Sequence, residues 1–200
     1  YQSKAKDRNE KIYVEHDIYH HGLQANSKAE LSFGGRNYTI YTNSLGLRDK
    51  ANKNISLDTS AHRIIFMGDS FTEGIALNYE DTFVGTIDSA LSESGIDILN
   101  AGRSGYSPII YWRKLKYLYE DLNLRFDEVV VAIDISDAFN EFSYYNLTED
   151  LRVKRKKANK SDINILPIDN FTKLKTFIIN NSSIAYIFLN SIYDFFNSNP

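Results

Sequence analysis

The chain has no cysteine among its 200 residues. That excludes a disulfide framework, thiol chemistry and a Cys-bound zinc site, and it is compatible with either redox compartment. No apolar run approaches the roughly 18 residues of a membrane-crossing helix, and no signal peptide is visible. The chain starts at Tyr1 rather than Met, which leaves room for a signal or membrane anchor removed upstream. Neither Gly-x-x-x-x-Gly-Lys nor Gly-x-Gly-x-x-Gly occurs, so neither standard nucleotide-binding loop is present. The net charge of −3 gives no electrostatic argument for nucleic acid. Histidine is scarce: His16, His20, His21 and His62 are the full set, and none follows residue 62.

What remains has the composition of a soluble globular protein, 42% hydrophobic and 24% charged, at a length that suits one domain with an extension. The stretch Arg63-Ile64-Ile65-Phe66-Met67-Gly68-Asp69-Ser70-Phe71-Thr72-Glu73-Gly74 organises it. Ile64 to Met67 is an apolar run of strand length, as expected of a strand buried on both faces of a parallel sheet. Gly68-Asp69-Ser70 must turn the chain, and a helical pattern follows from Asn78. A serine therefore stands where a central strand ends, which in open α/β sheets is the side on which ligands bind. Asp and Ser in such a turn also cap helices well.

The order of elements around this stretch is readable. Leu31 to Thr42 predicts a β-hairpin about Gly34-Gly35. Asn78 to Ser94 predicts a helix whose core face carries Phe83, Val84, Ile87, Ala90 and Leu91, closed by Gly95. Ile96 to Asn100 is a second strand, followed by a glycine-rich turn at Gly102 and Gly105. Pro108 starts a helix to about Leu122 with a core face of Ile109, Trp112, Leu115 and either Leu118 or Tyr119. Val129 to Ile133 is a β-branched third strand, read as buried. His20-His21 beside Gly22 reads as a loop packing its rings on the domain, since a metal site needs further ligands. Arg48 is a candidate to dock on a carboxylate. Arg152 to Lys160 is a basic run, read as a solvated surface loop. The segments 171–179 and 184–196 look helical, the second apolar on nearly all sides. The division expected is an extension over 1–62 and an α/β domain over 63–200.

Gly68-Asp69-Ser70-x-Thr72-x-Gly74 after a buried strand resembles the first block of the GDSL/SGNH hydrolase superfamily. Asn43-Ser44-x-Gly46-x-Arg48 resembles a stretch that precedes that block in bacterial envelope-associated members. Asn100-Ala101-Gly102 resembles the second block. The resemblance covers residues 40 to 140 and implies a three-layer α/β/α, flavodoxin-like fold with a short parallel sheet, here with an N-terminal extension bearing the hairpin. It implies that Ser70 is the nucleophile of an esterase or O-acyltransferase, with Asp69 beside it in the block. The backbone N–H groups of Ser70 and Gly102 would hold the oxyanion. In the third block, Asp134-Ile135-Ser136-Asp137, only Asp137 matches; Ser136 stands where an asparagine would help hold the oxyanion, and Asp137 would brace the loop. Loss of such a donor costs about 10²–10³ in rate.

A serine hydroxyl needs a base to attack at neutral pH. The family's base is a histidine in an Asp-x-x-His block near the C-terminus, which is not found in this sequence. Three explanations stand: the block lies beyond Pro200, His20 or His21 substitutes from the extension, or the domain is inactive and binds glycans or partners. His62 precedes the first strand and is expected at the wrong end of the sheet. The implied substrate is an acylated carbohydrate or similar ester at the cell envelope, periplasmic or extracellular, with no cofactor and no metal. Oligomeric state is not encoded in any feature found.

Overall fold

The computed structural model describes residues 12–156; the readings for 171–179 and 184–196 lie outside the described residues. The chain is mixed α/β. Its main sheet has six strands: β3 (Lys28–Phe33), β4 (Arg36–Thr42), β5 (Arg48–Asp49), β6 (Arg63–Met67), β7 (Asp97–Asn100) and β8 (Glu128–Val131), in the order β3-β4-β5-β7-β6-β8. β6 runs parallel to both β7 and β8, while β3, β4 and β5 are antiparallel to their neighbours. The short parallel sheet expected from the sequence is thus only half of a mixed one. The reason is the hairpin: β3 and β4 turn at Gly34 and Gly35, both at positive φ, and β5 carries them onto the edge of β7. Two further antiparallel pairs stand apart, β1 (Tyr13–His16) with β2 (His20–Leu23), and β9 (Tyr145–Leu147) with β10 (Val153–Arg155). The His20-His21 pair therefore lies on a strand, not a loop, and part of the basic run forms β10.

Four α-helices are present among the described residues: α1 (Ser70–Glu73), α2 (Phe83–Leu91), α3 (Pro108–Lys116) and α4 (Ile135–Tyr144). None of the described helices is long and apolar enough to cross a membrane. α2 is shorter than its apolar pattern suggests, because 3₁₀ turns at Tyr79–Asp81 and Ser92–Ser94 replace its ends. Thr82 caps it by accepting from the Gly85 N–H at 2.9 Å. α3 departs from the predicted face: Ile110, Tyr111 and Leu118 are buried, and Trp112 is 46% exposed. Arg113 and Lys114 are buried as well, so two faces of α3 are covered, and a π-helical turn at Tyr117–Asp121 shifts the phase after it.

The strand periodicity of two sorts β6 into two cores. Ile65 and Met67 pack with Leu99, Ile110 and Leu118, whereas Phe66 packs with Val84 and Ile98. β8 corrects the sequence reading. Val129, Val130 and Val131 are 37–43% exposed, because β8 is the end strand of the sheet and no described element pairs with its outer edge. A β-branched run reports pleated geometry without reporting depth.

The Asn43–Arg48 stretch is a built turn. Asn43 Oδ1 accepts from the N–H groups of Leu45 and Leu47, and its Nδ2 donates to Asp49 Oδ2 at 3.0 Å. Gly46 sits at φ +66° with the Leu23 carbonyl 2.4 Å from where a Cβ would stand, so no other residue fits.

Candidate functional site

Three loop starts converge at the carboxyl ends of the parallel strands. Ala101 N donates to Phe66 O, Arg103 N to Gly68 O and Ala132 N to Met67 O, at 2.8–3.1 Å. The chain passes from β6 to β7 on one side and then crosses to β8 on the other, which makes the β6–β8 gap a topological switch point. Gly68 is squeezed there: a Cβ would stand 2.1 Å from Thr72 Oγ1 and 3.0 Å from the Ala132 carbonyl. Asp69 then caps α1, its Oδ1 accepting from Phe71 N at 2.9 Å. Ser70 is the first residue of that helix and half-buried, with Oγ 3.4 Å from Asp69 Oδ2.

Asp69 is not alone. One carboxylate oxygen from each of Asp69, Asp134 and Asp137 lies within 4.8 Å of the others. Asp134 and Asp137 form the capping box of α4: Asp134 Oδ1 accepts from the N–H groups of Ser136 and Asp137, and Asp137 Oδ2 accepts from Asp134 N at 2.9 Å. Burial raises the carboxyl pKa of both Asp69 and Asp137, and the neighbouring Asp134 charge adds to each. The Tyr111 phenol faces the same group; burial first, then Asp137, Asp69 and Asp134, hold it well above its ordinary range.

Two of the three expected oxyanion donors, Gly102 and Ser136, are engaged elsewhere. Gly102 N donates to Asn100 Oδ1 at 3.0 Å, and a Cβ at Gly102 would lie 2.6 Å from Thr72 Cβ and 2.8 Å from Glu73 N. Ser136 is exposed, and its hydroxyl donates to Asp134 Oδ1 at 2.6 Å. Arg48 does not dock on a carboxylate. It is 1% exposed and its guanidinium donates to the carbonyls of Glu73, Gly74 and Leu77. The residue that takes a carboxylate is Arg103, whose Nη1 lies 3.0 Å from Glu73 Oε2.

Sequence reasoning passed over several residues that build this region: Glu73, Asp134, Tyr111, Asn100 and Lys114. Asp134 carried a usable signal, the three-residue spacing of a capping box to Asp137. Glu73 and Lys114 carried none, since a charged residue announces burial only through its partners.

No histidine among the described residues makes a hydrogen bond or ring contact with Ser70. His62 pairs with Glu128 at 2.8 Å, at the opposite end of the sheet, as its position before β6 implies. His20 and His21 meet Nδ1 to Nδ1 at 2.7 Å, and His21 Nε2 lies 3.0 Å from the Ser104 carbonyl. A carbonyl only accepts, so His21 carries its proton on Nε2 and His20 donates from Nδ1. Burial, opposed by the Ser104 carbonyl and aided by Arg103, His20 and Lys114, lowers His21 to about 3. A folded pKa below the unfolded one means that the unfolded chain binds more protons between pH 6.5 and 3, so the stability His21 contributes is complete above pH 6.5 and is lost as pH falls through that window. Asp69 and Asp137, with raised pKa, act in the opposite direction. The difference between wild type and His21→Gln isolates the histidine: the urea midpoint of wild type should fall more steeply from pH 7 to pH 4.5 than that of the variant. Parallel profiles would show that His21 does not titrate this way.

No protein-family model, no curated protein and no solved structure matches this chain.

Proposed function

We propose that the chain carries a serine-nucleophile site for acyl transfer, in a three-layer α/β/α domain of the GDSL/SGNH kind. The observation that carries the reading is the place of Ser70: a half-buried hydroxyl at the junction of a central parallel strand and a helix, beside the gap where β7 and β8 diverge from β6. Around it stands the Gly68-Asp69-Ser70-x-Thr72-x-Gly74 block. Ser70 Oγ attacks an ester carbonyl, the bond to the leaving alcohol breaks, and the acyl group stays on Ser70. A base takes the Ser70 proton and returns it to the leaving alkoxide. Water then releases the acid, or a sugar hydroxyl takes the acyl group. The substrate class, an acylated carbohydrate or similar ester, rests on the resemblance alone. The Ser70 N–H and the Gly102 N–H are the oxyanion donors of this scheme. For Gly102 the bond to Asn100 Oδ1 has to open, at about 0.5–1.5 kcal/mol.

A second reading has its own observation. With Gly102 N–H on Asn100 and the Ser136 hydroxyl on Asp134, the domain fits a non-catalytic glycan-binding or scaffold module. Imidazole separates the two, because it substitutes in solution for a base that none of the four histidines supplies. With a fluorophosphonate probe, adduct on the Ser70 peptide is expected to grow with imidazole concentration, and to be absent in Ser70→Ala. No adduct at saturating imidazole, or equal labelling of the variant, would overturn the acyl-transfer reading.

A further inference from the structure

The three carboxylates at the switch point have a feature that acyl transfer does not use. In each of them backbone amides hold one oxygen. Asp69 Oδ1 takes Phe71 N, Asp134 Oδ1 takes Ser136 N and Asp137 N, and Asp137 Oδ2 takes Asp134 N. Asp69 Oδ2 has the 3.4 Å contact to the Ser70 hydroxyl, and Asp137 Oδ1, in a residue that is 0% exposed, makes no hydrogen bond of normal length and angle. Among the described residues no lysine, arginine or histidine forms an ion pair with any of the three. The fourth wall is the hydroxyl of Tyr111, a residue 2% exposed. It stands next to the Asp137 carboxylate and feels the charge of all three acids, yet neither it nor Asp137 Oδ1 makes a hydrogen bond of normal length and angle. A buried donor and a buried acceptor left without good partners are costly, and an ion on Asp137 with a water in its shell for the Tyr111 hydroxyl would satisfy both.

We infer that Asp69, Asp134 and Asp137 hold a hard divalent cation (magnesium, manganese or calcium) at the carboxyl ends of β6 and β8, with the Tyr111 hydroxyl turned to its coordination shell. A water alone would serve Tyr111 and Asp137 but would bring no positive charge to three clustered carboxyl groups. The ligand set is all oxygen with no imidazole or thiolate, which selects these ions over zinc or copper. The cap geometry fixes each carboxylate through its other oxygen, as ligating carboxylates usually are fixed. This site is independent of whether Ser70 is a nucleophile.

Manganese is the probe, because bound Mn²⁺ loses the sharp electron paramagnetic resonance lines of the free ion. The 200-residue chain is expected to remove one Mn²⁺ per molecule saturably, with Mg²⁺ or Ca²⁺ displacing it. Asp137→Asn keeps an acceptor for Asp134 N, and Asp134→Ser keeps an N-cap. Both should fold, as circular dichroism checks, and both should weaken Mn²⁺ binding about tenfold or more. Ser70→Ala removes no proposed ligand and only the long 3.4 Å contact to Asp69 Oδ2, and should bind Mn²⁺ within about threefold of wild type, well short of the loss in the ligand variants, which separates this site from the serine chemistry. The melting temperature should rise with Mg²⁺ in wild type and in Ser70→Ala, and in neither ligand variant. No saturable Mn²⁺ loss up to millimolar metal would overturn the site. So would equal affinity in all variants, or an Asp137→Asn protein that is more heat-stable than a metal-insensitive wild type.

Discussion

Replacing Glu73 by alanine is expected to lower the unfolding free energy by about 3–5 kcal/mol, the usual consequence of removing one partner from a buried ion pair. Glu73 is 0% exposed, and its Oε2 accepts from Arg103 Nη1 at 3.0 Å and from Ser104 N at 2.7 Å. It is the buried anion beside three cations that are themselves buried or nearly so. Arg48 and Lys114 are 1% and 2% exposed, and the Arg103 side chain is 12% exposed. Burial lowers Lys114 to about 7, and Glu73 is the group that opposes that shift. Lys114 otherwise donates to the Ala101 carbonyl at 3.1 Å and lies over the Tyr19 and Tyr106 rings; Arg103 lies 4.1 Å over Tyr13. Without the carboxylate these cations keep their desolvation cost and lose their counter-charge. The effect is large against the 5–15 kcal/mol that holds a typical domain. Urea titration reads it as a fall in midpoint at unchanged slope. Glu73→Gln should fall between, because its amide oxygen still accepts from Ser104 N while the charge is gone. A Glu73→Ala midpoint within about 0.5 kcal/mol of wild type, the size of an ordinary surface change, would refute the charge argument.

Why some of this was legible and some was not follows from how far apart the interacting residues are in sequence. The strands β6, β7 and β8 announce themselves as short apolar or β-branched runs, and the hairpin by its Gly34-Gly35 turn. Gly95 ends the helical region at φ +70° as a stop residue does. These are local signals. Depth is not local: Val129 to Val131 look like a core strand, and only the strand order puts them on an edge. The face of α3 failed because the helix is covered on two sides, so a single apolar stripe does not describe it. At the candidate site, Ser70 and Asp69 are named by their block alone. The approach of Asp134 and Asp137 to Asp69 depends on β6 pairing with β8 in the register Met67 to Val131, which no window of sequence contains. The bond from Gly102 N to Asn100 was hidden for a different reason: an asparagine two residues before a glycine is common, and its side chain chooses its partner in three dimensions.

The register also bears on Arg48, whose replacement by alanine is expected to cost about 3–5 kcal/mol. β5 places Arg48 opposite Asn100 at the antiparallel edge of β7, with its side chain sealed inside. From there the guanidinium donates to the carbonyls of Glu73, Gly74 and Leu77, the Gly74 contact being 2.7 Å. Glu73 and Gly74 are the end and the left-handed cap of α1, Gly74 at φ +77°, and Leu77 ends the turn that follows, where its N–H donates to Gly74 O at 3.2 Å. One planar group thus closes the helix that carries Ser70 and fixes the turn after it. Each buried carbonyl left without a donor costs about 1–3 kcal/mol, and the three are not additive because the loop can relax towards water. Arg48→Lys should recover only part of the loss, since an ammonium cannot span three carbonyls as a fork does. The loss should be regional as well as global. Amide exchange at residues 74–78 should rise before the β6–β7 core opens, because a loop loses its protection when its anchor goes. Combined with Glu73→Ala, the two losses should fall short of additive by more than about 0.5 kcal/mol, since Glu73 is the charge that offsets Arg48 in its buried site. Strict additivity would mean that the guanidinium serves the backbone alone and owes nothing to the carboxylate beside it. An unchanged midpoint in Arg48→Ala would remove the account of how α1 is closed.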